Sequence, residues 1–276
     1  MGHITLTTDF GTRQGSHAVM HGVISSIAPG AVVTDLTHHI RPQDIREAAF
    51  VIDTSAWYFP AGTVHVVVCD PGVGTQRRAM AAEVGTQRFV TPDNGTLSAV
   101  LARADGQGWA TSFVHLDRPE YWRPAVSNTF HGRDVFAPVA AHLSEGVRLD
   151  EIGTPFDDPV RISMPGARRT DRGVEGEVIY IDDFGSAICS VLPADIAELG
   201  EVAVELCGAT IEGMVRTFGD SPYGADIPIA LWDSSGYLLV SENNGTGGKV
   251  IRPRPGDPVL VRPLRQPARS HPARIR

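Results

Sequence analysis

Three aspartates follow predicted strands in the first third of the chain. Asp9 comes after ITLTT, Asp35 after VVT, and Asp70 after the mostly apolar run VHVVVC. In open α/β sheets ligands bind beyond the carboxyl ends of the strands, so these carboxylates are candidates for a shared site. A carboxylate there can accept hydrogen bonds from a ribose diol, orient a water molecule or bind a metal, or it can simply cap a loop.

Asp70 begins the turn DPGVGTQR, which ends on Arg77. The apolar, β-branched run before Asp70 predicts a strand buried on both faces, and a carboxylate at its end needs a partner to offset desolvation. Arg77 is either that structural partner alone, or the pair faces a ligand. His131 lies among turn-like residues in TFHGRD, and a structural and a catalytic interpretation are both open.

Two histidines have a spacing that could bind zinc. His17 and His21 lie four residues apart on a predicted helix, but no Glu stands between them as in an HExxH motif. We therefore favour two helix-surface histidines and expect no metal site.

Nucleotide-phosphate motifs are incomplete in this chain. The turn after Asp70 lacks the third glycine of a dinucleotide fingerprint and the GK[ST] of a P-loop. DFG (9–11 and 183–185) and HGRD (131–134) resemble parts of the protein-kinase signature, but a kinase needs a strand lysine on the phosphates. The only lysine is Lys249, near the far end, which excludes that class.

Composition restricts the classes of function further. The 276 residues are 42% hydrophobic with a net charge of −8 and have no basic stripe before the tail, so nucleic acid is not an expected partner. No apolar run approaches the roughly 20 residues that span a bilayer, and no signal peptide is evident, so no membrane association is expected. Three cysteines without metal spacing indicate reduced thiols and a cytoplasmic location.

The first half of the sequence alternates strand and helix patterns. Strands are predicted at 4–9, 31–37 and 64–70 and in AMAAEV and RFVTPD, and helices at 15–30, 42–59, 95–104 and 130–146, the last interrupted by Pro138. This alternation predicts an N-terminal α/β catalytic domain over residues 1–158, with a mostly parallel sheet flanked by helices.

The second half has a different pattern. Residues 159–172, rich in Pro, Gly and charge, are predicted to be a linker. Short strands with Gly-containing turns then predict a smaller C-terminal all-β, barrel-like domain over residues 173–264. Residues 265–276, rich in Arg and Pro, are predicted to be a flexible basic tail.

A series of motifs gives the chain a family resemblance. They are TTDFG (7–11), DLTHHI (35–40), FPAGTVHVVVCDPGVGTQRR (59–78), TPDNG (91–95), TFHGRD (129–134), YIDDFGS (180–186), DSSGYL (233–238) and ENNG (242–245). In these motifs the chain resembles the S-adenosyl-L-methionine (SAM) hydroxide adenosyltransferases, adenosine-forming SAM hydrolases related to fluorinase and chlorinase. The resemblance covers nearly the whole chain except the tail, and DPGVGTxR combined with FHGRD is its most specific part.

The resemblance implies a catalytic Asp-Arg-His set that maps onto Asp70, Arg77 and His131. It implies a metal-independent enzyme without a cofactor, in which water or hydroxide attacks the 5′ carbon of SAM and L-methionine leaves. A sulfonium departs as neutral methionine, so the reaction chiefly needs a water molecule that is activated and aimed in line. Arg77 remains protonated and can stabilise a developing hydroxide, while the proton acceptor, Asp70 or His131, stays open.

The resemblance also implies substrate-binding positions, namely Asp9, Asp182, Phe184, Ser186, Ser234 and Asn244. Asp9 is expected to hold the ribose hydroxyls, and Asp182 and Ser234 the methionine end. Phe184 is expected to pack against the nucleoside, although a buried Phe of the barrel core is an equally ordinary interpretation, and Asn244 is expected to lie at the adenine edge. The family is trimeric, which implies a homotrimer whose sites are shared between one subunit's first domain and its neighbour's second.

Two other functions remain open from the sequence. A halide-using SAM transferase, forming 5′-halo-5′-deoxyadenosine, would need a halide pocket, and the halogenases carry Tyr at the position of Asp70 and Tyr-Ser at 131–132. A non-catalytic SAM- or nucleoside-binding protein is the second, because Ser186 replaces the family's usual Asn. The shorter Ser offers a single hydroxyl, so its adenine contact is expected to be weaker or water-mediated.

Overall fold

A computed structural model describes residues 2–221, 227–242 and 251–264, so Asn244 and the predicted tail lie outside the described residues. The chain divides into two units, Met1–Met164 and Pro165–Arg276. Residues 168–170, within the stretch predicted as a linker, form a short strand of the second unit. No helix among the described residues combines the length and apolar character needed to cross a membrane.

Residues 2–164 form a seven-stranded sheet with helices. The strands are β1 (His3–Thr8), β2 (Val32–Thr37), β3 (Val64–Val68), β4 (Ala79–Val84), β5 (Gln87–Pro92), β6 (Thr111–His115) and β7 (Thr154–Phe156). The helices are α1 (Ser16–Ile27), α2 (Ile45–Ser55), α3 (Ser98–Gln107) and α4 (Ala137–Ser144). The predicted α/β class is therefore confirmed.

Strand β3 is buried on both faces, as its apolar run predicts. Val64, Val66 and Val68 join a core that includes residues of α1 and α4. Val67 and Cys69 join a second core that includes residues of α2 and α3. The alternation of side chains along the strand thus places one helix pair against each face.

The sheet order is β2-β1-β3-β5-β4-β6-β7, and the sheet is mixed. The pairings β1–β2, β1–β3 and β3–β5 are parallel, whereas β4–β5, β4–β6 and β6–β7 are antiparallel. The expected mostly parallel character therefore holds for one half of the sheet. The cause is the connection between β4 and β5, since the two residues Gly85 and Thr86 can join only antiparallel strands.

The parallel half brings the candidate aspartates to one edge. Strands β1 and β3 pair with Thr8 opposite Val68, so Asp9 and Asp70 emerge close together at their carboxyl ends. His131 precedes a π-helical turn, Gly132–Phe136, which continues into α4. Pro138 lies at the start of α4 and has no N–H to donate to the preceding turn, and the carbonyl of Asp134, four residues before it, accepts the Arg123 N–H instead.

The described part of the second unit forms an eight-stranded antiparallel sheet that closes almost into a barrel. Its elements are β8 (Arg168–Thr170), β9 (Gly173–Ile181), β10 (Ala187–Cys189), α5 (Pro193–Ile196), β11 (Val202–Leu206), β12 (Ala209–Glu212), β13 (Pro228–Trp232), β14 (Leu238–Glu242) and β15 (Pro258–Pro263). Apolar side chains from β9, β10, β11, β14 and β15 fill its core. The predicted barrel-like all-β class is confirmed.

Candidate active site

Asp70 and Arg77 form a buried ion pair at the end of β3. Arg77 Nε donates to both carboxylate oxygens of Asp70, at 2.9 and 3.1 Å, and its Nη2 donates to Oδ2. The Asp70 side chain is 5% exposed and that of Arg77 is 11% exposed. The sequence predicts that the Asp70 carboxylate needs a partner, and Arg77, at the end of the same turn, is that partner.

The turn between Asp70 and Arg77 packs closely against the segment that carries His131. Gly74 has φ +76°, and a Cβ at this position would lie 2.3 Å from the carbonyl oxygen of Asn128. That separation is far below van der Waals contact, so only glycine lets the two backbones approach this closely. The packing fixes the distance between the ion pair and His131.

Arg77 also contacts His131, and this contact determines the tautomer of the imidazole. The Arg77 Nη2 lies 2.9 Å from His131 Nδ1. A guanidinium has only donors, so Nδ1 must be the acceptor, and the neutral ring carries its proton on Nε2. Burial, and then the positive charge of Arg77, lower the pKa of His131 below its ordinary value, which is consistent with a neutral ring.

Gly132, next to His131, is enclosed by apolar side chains. A Cβ at Gly132 would lie 3.3 Å from the rings of Phe10 and Phe130 and 3.4 Å from the sulfur of Met20. The immediate surroundings of Gly132 are therefore apolar and closely packed.

Asp9 lies beside this group on the neighbouring strand. Its Oδ2 accepts a hydrogen bond from the Gln43 backbone N–H at 2.8 Å, and the Cys69 thiol donates to the same oxygen at 3.7 Å. Gln43 adopts φ +65°, an uncommon conformation for a residue other than glycine. Backbone strain of this kind concentrates at functional sites, and here it directs an N–H at Asp9.

Asp35 belongs to a different cluster. Its Oδ1 lies 2.7 Å from His21 Nε2 and 3.0 Å from His38 Nε2, and the His17 ring packs against that of His38 at 4.7 Å. Burial lowers the pKa of His38. The contact with Asp35 raises that pKa, but by less than burial lowers it. Within the described ranges, no group of three or more His, Cys, Asp or Glu side chains is arranged to hold a metal ion.

Four of the predicted substrate-binding residues, Asp182, Phe184, Ser186 and Ser234, lie on two turns of the second unit. Asp182 Oδ1 accepts the backbone N–H groups of Phe184 and Ser186, at 2.9 and 2.8 Å, and Phe184 is 76% exposed. The Ser186 side chain instead points inward, 2% exposed, and bonds the Ser241 hydroxyl at 2.9 Å. Ser234 is exposed on the turn that follows β13.

Sequence reasoning did not find the residues that support this site. Gln43 acts through its backbone, and Asn128 through its carbonyl, so their side-chain types carry no signal. The sequence predicts Cys69 only as a reduced thiol, although its position next to Asp70 at the end of a strand places it beside the candidate carboxylates.

The fold and the site define a class of protein. An Asp-Arg-His group with a neutral imidazole lies beside a further carboxylate, at the carboxyl edge of the parallel half of an α/β sheet, and an all-β unit follows in the chain. The SAM hydroxide adenosyltransferase N-terminal domain matches residues 4–153, and the C-terminal domain of the same family matches residues 176–260. The chain belongs to this family, which confirms the resemblance seen in the sequence.

Relatives in the family carry two kinds of name. The chain is 38% identical over 268 residues to the (R)-S-adenosyl-L-methionine hydrolase of Salinispora arenicola, which covers 94% of this chain and 97% of the relative. It is 37% identical over 258 residues to the protein of that name from Thermus thermophilus, with 92% and 97% covered. The fluorinase of an Actinoplanes species is 26% identical over 274 residues, with 87% and 90% covered.

Solved structures share the fold. An uncharacterised conserved protein from Thermotoga maritima superposes with a TM-score of 0.85 at 31% identity, covering 94% of this chain and 99% of the other. A conserved hypothetical protein from Thermus thermophilus gives a TM-score of 0.74 at 34% identity, covering 95% and 100%.

Proposed function

We propose that the protein hydrolyses SAM to adenosine and L-methionine. A water oxygen bonds to the 5′ carbon, the bond from that carbon to sulfur breaks, and its electron pair stays on the departing methionine. The observation that supports this most directly is Arg77, which bridges the Asp70 carboxylate and a neutral His131. The hydrolase name of relatives at 37–38% identity points the same way.

The hydrogen bonds suggest how the three side chains divide the work. The Nδ1 lone pair of His131 is occupied by Arg77, and its Nε2–H can only donate, so the ring orients the water oxygen. A carboxylate offers about four lone-pair positions, so Asp70 can accept the proton that the water loses while it still bonds Arg77. The guanidinium then stabilises the developing hydroxide.

The remaining substrate contacts are part of the proposal. The Oδ1 of Asp9 accepts hydrogen bonds from the ribose hydroxyls, since its Oδ2 already accepts the Gln43 backbone N–H. Asp182 and Ser234 bind the methionine end, and Phe184 packs on the nucleoside. Ser186 contacts the adenine only through a rearrangement or a bridging group, because its hydroxyl bonds Ser241. On the basis of the family resemblance, Asn244 contacts the edge of the adenine.

A halide-using transferase is the second candidate, raised by the relationship to fluorinase. Gly132 argues against it, because this residue has no side-chain hydroxyl to offer a halide, and Phe10, Phe130 and Met20 pack closely around it. Product identity separates the two reactions.

The test uses purified protein and SAM in water enriched in ¹⁸O, with and without chloride and EDTA. Adenosine that carries ¹⁸O at its 5′ position, formed equally in all conditions, is the expected result. Chlorinated nucleoside would support halide transfer, and chelator-sensitive turnover would contradict a metal-independent mechanism. SAM binding measured by calorimetry without any turnover would support a binding protein instead.

We further propose a homotrimer that acts in the cytoplasm without a cofactor. The sulfonium is already an activated leaving group, so the reaction needs no additional electrophile. The cysteines Cys69, Cys189 and Cys207 are free thiols, in keeping with a reducing compartment. Sedimentation equilibrium of the full chain tests the oligomeric state.

A further inference from the structure

The carboxylate of Asp134 is buried, and the proposed reaction gives it no role. Its side chain is 0% exposed. Arg133 donates to it through Nε at 2.7 Å and Nη2 at 2.8 Å, Arg123 Nη1 at 3.2 Å, and the Ser127 backbone N–H at 2.9 Å. Burial alone would raise the pKa of Asp134, but these hydrogen bonds outweigh it and hold that pKa well below its ordinary range.

These bonds fold residues 123–134 into a closed loop, named here the histidine loop. The Arg123 N–H donates to the Asp134 carbonyl at 2.9 Å, and the Phe130 carbonyl accepts the N–H groups of Arg133 and Asp134 at 3.2 and 3.1 Å. The Ser127 hydroxyl accepts the Phe130 N–H at 3.1 Å. Asp134 therefore ties both ends and the middle of the loop together.

The histidine loop meets the Asp70–Arg77 turn at two points. Its His131 Nδ1 accepts from Arg77, and its Asn128 carbonyl packs against Gly74. Both contact residues, Asn128 and His131, lie between Ser127 and Arg133, which bond the Asp134 carboxylate. Burying an ion pair is a weak source of net stability, so the arrangement calls for another explanation.

We propose that Asp134 is a positioning residue for the reaction, and that its carboxylate holds the histidine loop so that His131 meets Arg77. The inference rests on the proposed function for its kinetic test, and on the Arg77–His131 contact alone for its spectroscopic test. The two readouts can fail separately.

The kinetic test compares Asp134→Asn with the matched variant Asp53→Asn. Asp53 is also a buried carboxylate, with a 6% exposed side chain and bonds from Arg103 at 2.7 and 2.8 Å, but it lies on α2 and its partner lies on α3. Both variants are expected to unfold at lower urea concentration. Asp134→Asn should lower kcat for SAM by about 100-fold with KM changed less than about 3-fold, because misplacement by about 1 Å has effects of this size. Asp53→Asn should retain kcat within about 2-fold.

The spectroscopic test follows the ring nitrogens of His131 by ¹⁵N NMR across a pH series. The charged groups that face His131 are Arg77, Asp70 and Asp134. If Asp134 acted only through its charge, its removal would lower the pKa of His131 further. If Asp134 holds the loop, its removal releases His131 from burial and from Arg77, and the pKa rises towards 6.5. The sign of the change distinguishes the two explanations.

The outcomes are decisive in each case. A fall in kcat together with a rise in the His131 pKa supports the proposal, whereas wild-type kcat, or a His131 pKa that falls or stays unchanged, overturns it. If Asp134→Asn does not fold, Arg123→Gln removes a single 3.2 Å bond and should cause smaller changes in the same directions. If the wild-type protein does not hydrolyse SAM, the proposed function fails, and the His131 pKa still tests the role of Asp134.

Discussion

Replacing Gly74 with alanine would separate the two backbones that define the site. The new Cβ would lie 2.3 Å from the Asn128 carbonyl oxygen, whereas real Cβ contacts essentially never fall below 3.0 Å. One backbone must therefore retreat by about 0.7 Å or more, the difference between these distances. The left-handed conformation of Gly74 adds roughly 1–2 kcal/mol for any residue with a Cβ.

Gly62→Ala is the matched control for this change. Gly62 has φ +82°, similar to the +76° of Gly74, but a Cβ there would meet no atom within 4 Å. It lies before β3, at the opposite end of that strand from Asp70. The control therefore carries the conformational cost without the displacement.

We expect both variants to lose about 1–2 kcal/mol of unfolding free energy in urea titrations, with a larger loss for Gly74→Ala. Only Gly74→Ala should lose turnover, by about 100-fold, since the shift moves His131 away from Arg77. Steady-state release of adenosine from SAM measures this. Wild-type turnover in Gly74→Ala, with the same stability as Gly62→Ala, would refute the argument that close backbone packing sets the site.

Three further predictions concern single side chains. Arg77→Lys keeps a charge but loses the paired donors, so kcat for SAM should fall by about 100-fold in steady-state assays; an unchanged kcat would contradict the bridging role. His65 is fully buried, and burial lowers its pKa to about 4. Its proton is therefore bound first by the unfolded state, so His65 should contribute about 3 kcal/mol to the fall in unfolding free energy from pH 6.5 to pH 4, and His65→Gln should remove that contribution in urea titrations at both pH values. Arg78→Gln leaves the buried Asp93 carboxylate without its 2.8 Å partner and should reduce the unfolding free energy by about 2 kcal/mol, whereas an unchanged urea midpoint would show that the Val160 N–H suffices.

Much of the fold could be predicted because its signals are local. The unbroken apolar run of β3 indicates burial on both faces, and the structure has cores on each side of it. Strand direction is not local in the same way: the patterns of β4 and β5 suit either orientation, and only the two-residue connection at 85–86 reveals a hairpin. The π-helical turn after His131 has no sequence signal comparable to the apolar periodicity of a helix.

Only part of the candidate site could be predicted from the sequence. Asp70 and Arg77 could be paired from the sequence, because a carboxylate at the end of a buried strand requires a nearby cation. The approach of His131 could not, since it depends on a turn 54 positions away in the chain. The inward direction of Ser186 also escaped prediction, because Ser241, which accepts or donates its hydrogen bond, lies 55 positions further on.

The turn at Asp182–Ser186 has a consequence for association. Two backbone N–H groups bonded to the Asp182 carboxylate hold this turn in one conformation, in which Phe184 is 76% exposed. A loop that is ordered in advance loses little conformational entropy when its aromatic side chain is covered. Whatever packs on Phe184, a flat heterocycle or another protein surface, therefore retains most of the roughly 1.5–3 kcal/mol that removing a phenylalanine from water provides. The Asp182 carboxylate thus preorganises the Phe184 side chain for binding.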